Sequence, residues 1–355
     1  MILVPENSFH DRDFLVTDAG VIFEVTDYLQ EADRVLAFPR YIPFDVIPVR
    51  MWGHTWRMLG REYSRFDLRV TTTSEICETF DKFYRAYPQF APRGSDQFDV
   101  ASVPHESIVE HVMPQRSLSR ILALPTHDPL QAAACKFADA CIGLGIPEDH
   151  LGVTNSLMFD GHTVGFSDID FVVYGARHYQ ALIDSLRSGY CQASIRFPTL
   201  EEWQRRYTDY AIKDMPLTPR VYALHKIRKY EESFFSGHKL SLFAVRSNEV
   251  PEVFPQKARI GPLSISGHVV DASQGMFRPS IYKIQVDPGL LNQPAGKSGI
   301  ITIVNHRREY ISQVREGERI SAFGLASTVH ETSVILELGS LELRGQDFLV
   351  AEALQ

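Results

Sequence analysis

Cysteine is scarce in this 355-residue chain: there are four, and no two of them form a CxxC pair. Cys77, Cys135, Cys141 and Cys191 are too scattered for a disulfide framework or a zinc site. Cys135 and Cys141, six apart in an Ala-rich helical pattern, read as small core residues. Long hydrophobic runs are also missing. No stretch of about 18 apolar residues occurs, and the apolar start "MILVP" is too short for a secretory signal. The expected setting is therefore the reducing cytoplasm, with no membrane partner. Basic charge is in deficit, 36 Lys and Arg against 44 Asp and Glu, a net −8. That excludes a global cationic field for nucleic acid or anionic lipid, but not a local cationic pocket for a nucleotide. Internal repeats and low-complexity tracts are absent. A P-loop is absent too: "AGKSG" at 295–299 has Leu291 where the first glycine of that motif belongs, and no strand-to-helix context.

What is present is ordinary globular material, 44% hydrophobic and 23% charged, long enough for two or three domains. Residues 13–45 read as short strands joined by turns, with "GVIFEVTDY" and the proline-stopped "RVLAFPRYIP" as two of them. Ile76, Phe80, Phe83 and Tyr84 recur at helical spacing within 74–90. "VPHESIVEHVMP" reads as a short polar helix between prolines. Its histidines, six apart, do not form a zinc-binding HExxH. "PLQAAACKFADACIGLGI" is a helix that ends at its glycines, and further helices are expected near 177–188, 199–212 and 219–232. Strands are expected at Leu151–Thr154, Ser167–Tyr174 and 238–247.

Past the proline-marked stretch "NEVPEVFPQKARIGP", helical periodicity gives way to short strands at hairpin spacing, as in a compact OB-like barrel. From residue 255 onward there are ten Lys and Arg and ten Asp and Glu, so the net −8 lies in the first 254 residues. The fold class expected is α+β. An N-terminal α+β region would span 1–125, a helix-covered mixed sheet 126–250, and an all-β module 256–355.

The densest stretch is "LGVTNSLMFDGHTVGFSDIDFVVYG" at 151–175. A strand period of two puts Asp168 and Asp170 on one face, within several ångströms of each other, at the start of an apolar run. Two bare carboxylates there repel and raise each other's pKa, whereas a divalent cation between them removes the conflict. Mg²⁺ takes oxygen ligands, often one or two carboxylates plus substrate phosphate and water. The Thr154-Asn155-Ser156 turn would offer backbone N–H groups and a hydroxyl to a phosphate, facing the same pocket. A solvated strand edge with two Asp residues is the plainer alternative.

The segment resembles the signature of the DNA polymerase β-like nucleotidyltransferase superfamily: a Gly-Ser turn, about ten residues, then Asp-hydrophobic-Asp in a strand. More narrowly, the chain is similar to a group of predicted nucleotidyltransferases best known from archaea, sharing the "VLAFPRYIP"-like stretch, the "LGVT-S…SDIDxVVYG" core and a β-rich C-terminal module. The resemblance implies Mg²⁺ or Mn²⁺ held by Asp168 and Asp170, which are also the catalytic residues. It implies an NTP whose triphosphate meets Ser156, with Thr154, Asn155 and Ser167 around it. Two departures stand out. Asn155 replaces the glycine of the turn, although Asn tolerates the left-handed backbone. And the third carboxylate that the superfamily sets on a later strand has no counterpart in "HKLSLFAVRS", where Glu249, just beyond, is the nearest acid.

Other signals carry alternatives. Arg220, Lys226, Arg228 and Lys229 share a helical stretch and would suit phosphate or nucleic acid, or a solvated helix face. Lys226 and Arg228 are taken as nucleotide-binding candidates. Arg40 and Tyr41 would line the cleft, or Arg40 would pair with a nearby acid. Arg307, Arg308 and Tyr310 would touch nucleic acid on an OB-like barrel, or sit as charges at an exposed hairpin tip. The expected activity is metal-dependent transfer of a nucleoside monophosphate from an NTP to a hydroxyl on a small molecule, a protein or RNA. A catalytically weakened nucleotide- or RNA-binding protein on the same fold is the competing expectation.

Overall fold

The computed structural model describes residues 9–26, 32–48, 55–66, 73–92, 101–190, 193–209, 215–247, 257–287, 299–329 and 333–355. Cys191, Glu249, residues 295–298 of "AGKSG" and the boundary stretch 248–256 lie outside them. The fold is mixed α and β, with six α-helices among the described residues. Contacts divide the chain into two units, Met1–Arg196 with Glu231–Asn248, and Phe197–Tyr230 with Glu249–Gln355. Residues 197–230, expected with the central sheet, thus group with the C-terminal strands.

The first unit holds two sheets. One is built from β1 (Phe14–Thr17), β2 (Ile22–Val25), β3 (Arg34–Pro43), β4 (Trp56–Met58), β5 (Arg61–Arg65), β6 (Ala101–Pro104) and β7 (Ile108–Val112). Its order is β4-β5-β3-β2-β1-β7, with β6 also on β3. The strand period of two sorts its side chains, with a register shift between β2 and β3 that moves Tyr41 to the face opposite Val35 and Ala37. Leu15, Phe23, Val25, Val35 and Ala37 join one core with Phe83 and Tyr87 of α1 (Thr73–Ala86) and with Phe90. Phe14, Val16, Ile22 and Tyr41 turn the other way and pack on Met158 and Phe159, just past the Asn155-Ser156 turn. Glu24 shares that second face with Ile22. The expected helix at 104–113 is not there. His105–Ser107 is a single 3-10 turn, and Ile108–Val112 is β7, paired antiparallel to β1. Its pattern of partly exposed and exposed residues follows an edge strand, and a helical reading by polarity alone missed the pairing partner 95 residues away.

The second sheet of this unit has the order β10-β11-β12-β9-β8, from β8 (Leu151–Val153), β9 (Ile169–Tyr174), β10 (Ile195–Arg196), β11 (Glu232–Phe235) and β12 (His238–Val245). β9 lies parallel to β12 and antiparallel to β8. All six β9 residues are buried, as a central strand covered on both faces requires. Phe171 meets Phe137 of α3 (Pro129–Gly143) at 4.9 Å on one face. On the other face Val172 and Tyr174 cluster with Phe243 and Val245. α3 starts on a capping box, with Asp128 accepting from the Gln131 backbone and Gln131 reaching back to the Asp128 N–H. Cys141 is buried within α3, while Cys135 is only partly covered. α4 (Ala176–Arg187) follows β9 through Gly175, whose φ of 88° admits the turn.

α2 (Pro114–Leu122) packs so closely on β8 that a Cβ at Gly152 would lie 2.6 Å from Pro114 Cβ and 2.7 Å from the Pro114 carbonyl carbon. Gly152→Ala is expected to cost about 1–3 kcal/mol by forcing α2 away from β8. Urea denaturation of the variant checks this, and an unchanged midpoint would contradict it.

The second unit pairs α5 (Leu200–Asp209) and α6 (Pro219–Ile227) with a strand ring. The ring is built from β13 (Lys257–Gln274), β14 (Ser280–Val286), β15 (Ile300–Asn305), β16 (Arg319–Val329) and β17 (Ser333–Leu338), with β18 (Phe348–Ala351) on β16. The order β13-β14-β15-β17-β16 closes through pairing of the long β13 with β16, and β15 runs parallel to β17. Inward residues such as Ile265, Tyr282, Ile303 and Leu336 share one core with Trp203 of α5 and Tyr222 of α6. The helical stretch expected to reach 232 stops at Ile227, because 232–235 is recruited as β11.

Arg307 and Tyr310 are not at an exposed hairpin tip. Tyr310 is fully buried and donates to the Asp347 carbonyl at 2.9 Å, while Arg307 pairs with the buried Asp347 at 3.0 Å. Both are internal ties of the barrel.

His225 on α6 is buried and bonds Gln313 O through Nδ1 at 3.1 Å. Burial, with help from Lys229 and Arg228, pushes its pKa down from 6.5 to about 3. The imidazole is therefore neutral in the folded chain and charges more easily when unfolded. Its contribution is complete above pH 6.5 and is lost as pH falls toward 3, by about 1.4 kcal/mol per pH unit. His225→Gln is expected to lack this slope in denaturation measured at pH 7, 5.5 and 4.5. Parallel slopes for the two proteins would contradict it.

Candidate nucleotide site

The Thr154 N–H donates to Asp170 O at 2.9 Å, which ties the turn after β8 to the start of β9. Asn155-Ser156-Leu157 then forms a 3-10 turn. Asn155 has φ of 58°, the left-handed conformation that a glycine would otherwise supply there. This geometry aims its side chain inward, and Asn155 Nδ2 donates to Asp170 Oδ2 at 3.0 Å. Thr154, Asn155 and Ser156 are all buried. Ser167 accepts from the Thr163 N–H through Oγ at 2.9 Å, closing the loop that leads to Asp168. Two contacts anchor that loop, a hydrogen bond between His162 Nε2 and Asp128 Oδ2 at 2.6 Å and an ion pair of Arg120 with Asp160 at 2.5 Å.

The two carboxylates have different surroundings. Asp170 is 6% exposed. Asp168 lies just before β9, with its side chain 30% exposed and Lys239 Nζ 2.8 Å from its Oδ2. The β9–β12 register begins at Leu240–Ile169 and sets Ser241 opposite Asp170; carried one residue before its first pair, it levels Lys239 with Asp168. Neither neighbouring strand, β8 or β12, carries an acid. Among the described residues no three His, Cys, Asp or Glu side chains gather to hold a metal.

The fit to a cation rests on other groups. Asn155 Oδ1, Ser241 Oγ and Tyr41 OH are buried oxygens without a hydrogen-bond partner among the described residues. All three relate to Asp170: Asn155 by its hydrogen bond, Ser241 by strand register, Tyr41 by electrostatic coupling. Buried polar atoms are almost always paired, so the Asn155 and Ser241 oxygens next to Asp170 mark a place for water, an ion or a ligand. Two carboxylates with hydroxyl and amide oxygens would make an all-oxygen donor set of the kind Mg²⁺ or Mn²⁺ takes.

Comparison with known proteins adds one relative. The chain is 24% identical to an archaeal protein. That protein, Uncharacterized protein MJ1086 of Methanocaldococcus jannaschii, aligns over 337 residues, 91% of this chain and 92% of its own length. No protein-family model matches the chain, and no solved structure matches it.

Behind Asp170 lies a charged cluster that the sequence reading largely missed. Arg12 Nη1 donates to Glu24 Oε1 at 2.8 Å, and Arg40 Nε lies 3.4 Å from Glu24 Oε2. The Arg12 guanidinium also sits 4.2 Å over the Phe243 ring, on the same face of the sheet as Ser241. The Thr154 hydroxyl donates to Arg12 O at 3.3 Å, so the cluster braces the turn. Burial pushes the Tyr41 phenol up. Arg65 and Arg40 pull it down, while Asp170 and Glu24 push it further up. Arg40 therefore both pairs with an acid and lies in the electrostatic reach of the site. No spacing in the sequence linked residues 12, 24 and 40; only the inward alternation of β2 and β3 hinted at a buried charge.

Lys226 and Arg228 belong to the other unit. Lys226 is buried with Nζ 5.1 Å over the Trp203 ring, and Arg228 pairs with Glu318. No helix among the described residues is long and apolar enough to cross a membrane.

Proposed function

We propose that this chain is a divalent-metal-dependent nucleotidyltransferase that moves a nucleoside monophosphate from an NTP to a hydroxyl acceptor on a small molecule, a protein or RNA. The observation that carries the reading is the carboxylate pair Asp168 and Asp170 at the entry to β9, with a left-handed Asn-Ser turn bonded to Asp170. In this reading the second sheet is a nucleotidyltransferase core, and the strand order of the second unit is that of an OB-fold barrel.

Asp168 and Asp170 would hold Mg²⁺ or Mn²⁺, which when bound supplies charge neutralisation for the triphosphate and the leaving pyrophosphate. The chain's own share is positioning. The turn presents N–H groups and the Ser156 hydroxyl to phosphate oxygens, Thr154 fixes the turn to β9, and Asn155 orients the Asp170 carboxylate. A nucleotide- or RNA-binding protein with weakened turnover is the second reading. It is favoured by Lys239 and Ser241 standing on the strand next to the Asp pair, where a third acid would help activate a hydroxyl.

Purified protein incubated with α-labelled NTPs, Mg²⁺ or Mn²⁺ and a cell extract tests the reading. Labelled product is expected with the wild type and not with Asp168→Ala, Asp170→Ala. Label that persists in the double variant would sink the assignment, and nucleotide binding without any labelled product would select the second reading.

A further inference from the structure

We propose that Lys239 is a charge-exchange residue of this site: its ammonium neutralises Asp168 before nucleotide arrives, then turns to the polyphosphate once a divalent cation sits at the two carboxylates. The inference rests on the function proposed above.

It starts from the unequal treatment of the two acids. Asp170 is 6% exposed and held by the neutral amide of Asn155. Asp168 stands at the mouth of the strand, and its partner is a full positive charge 2.8 Å away on a four-carbon stem. Lys239 reaches it because β12 runs parallel to β9 in a register that levels residue 239 with residue 168. Their side chains are 33% and 30% exposed. An ion pair so open to water is worth about 0–1 kcal/mol, so exchange of its partners meets little resistance.

A lysine within a few ångströms of a cation site also repels the cation. Without nucleotide, Lys239 and a metal compete for Asp168. With nucleotide, the triphosphate gives the displaced ammonium a new anionic partner, as lysine does at phosphate sites as a point charge. Metal and nucleotide therefore bind with positive coupling beyond what direct metal–phosphate contact supplies, and Lys239 adds that increment. Lys239 would be a positioning residue, acting by charge on the metal and the polyphosphate.

The test follows free Mn²⁺ by electron paramagnetic resonance and NTP by calorimetry, using a non-hydrolysable NTP analogue. The full-length wild type, Lys239→Met and Lys239→Arg are compared after circular dichroism confirms folding. The wild type is expected to bind Mn²⁺ about tenfold or more tightly with the analogue than alone. Lys239→Met is expected to bind Mn²⁺ alone about tenfold more tightly, to bind the analogue with Mn²⁺ more weakly, and to show a correspondingly smaller coupling. Lys239→Arg keeps most of the wild-type coupling. Wild-type Mn²⁺ affinity and coupling in Lys239→Met, alongside lost binding in Asp168→Ala, Asp170→Ala, would overturn the role of Lys239 alone. A wild type that binds neither Mn²⁺ nor the analogue would overturn both this inference and the proposed function.

Discussion

Asp170→Asn is expected to slow nucleotidyl transfer by about a thousandfold or more, equivalent to about 4 kcal/mol of transition-state stabilisation, in a chain that still folds. The substitution keeps the shape of the side chain and exchanges a negative oxygen for an amide. Asn155 Nδ2 then retains an acceptor if the new carbonyl oxygen faces it, so the turn loses little. What disappears is the buried negative charge among the partnerless oxygens of Asn155, Ser241 and Tyr41. Asp168→Asn is expected to have a smaller effect, because Asp168 is 30% exposed and already shares its charge with Lys239. Rates from labelled NTP, compared with thermal melts, check the pair. Equal, small losses in both variants would contradict the ranking.

Arg12→Met is expected to destabilise the first unit by about 3–5 kcal/mol, the usual consequence of stranding a buried charge. The Arg12 side chain is 6% exposed, with Glu24 Oε1 at 2.8 Å and Asp11 Oδ2 at 3.5 Å. Removing it takes from Glu24, 2% exposed, its 2.8 Å charged partner, while Arg40 Nε stands at 3.4 Å. Glu24→Gln in the same chain should restore part of the loss, since the charge left behind is then gone. Denaturation of the wild type, both single variants and the double variant measures this directly. Additive losses would show that the cluster is not coupled. The same experiment bears on the proposed site, because the Thr154 hydroxyl donates to the Arg12 carbonyl and the Asn155-Ser156 turn follows it.

Much of this architecture was legible in the residues. The apolar run after Asp170 in "SDIDFVVYG" identified a buried strand, and the pattern of "PLQAAACKFADACIGLGI" with its closing glycines identified α3. The left-handed backbone anticipated at Asn155 is present, at φ 58°. Proximity along the chain was enough in each case. Failures came where a partner distant in sequence decided the outcome. "HESIVEHV" became a turn and a strand because β1 pairs with it, and the helix expected to reach 232 ends at Ile227, with Glu232 already paired to β12.

The site shows the same split. Asp168, Asp170 and the turn could be found by spacing. Lys239 and Ser241 could not, because their place beside the Asp pair depends on a parallel register across 71 residues. Arg307 and Tyr310 looked like surface chemistry because both are polar, yet the barrel uses them to bind Asp347 in its interior.

The proposed metal-assisted nucleotide site at Asp168 and Asp170 is open to calorimetric titration of the full-length protein with NTP, with and without Mg²⁺. One nucleotide is expected to bind per chain, with binding that collapses when the metal is chelated and none by Asp168→Ala, Asp170→Ala. Undiminished binding by the double variant, or none by the wild type with Mg²⁺ present, would contradict it.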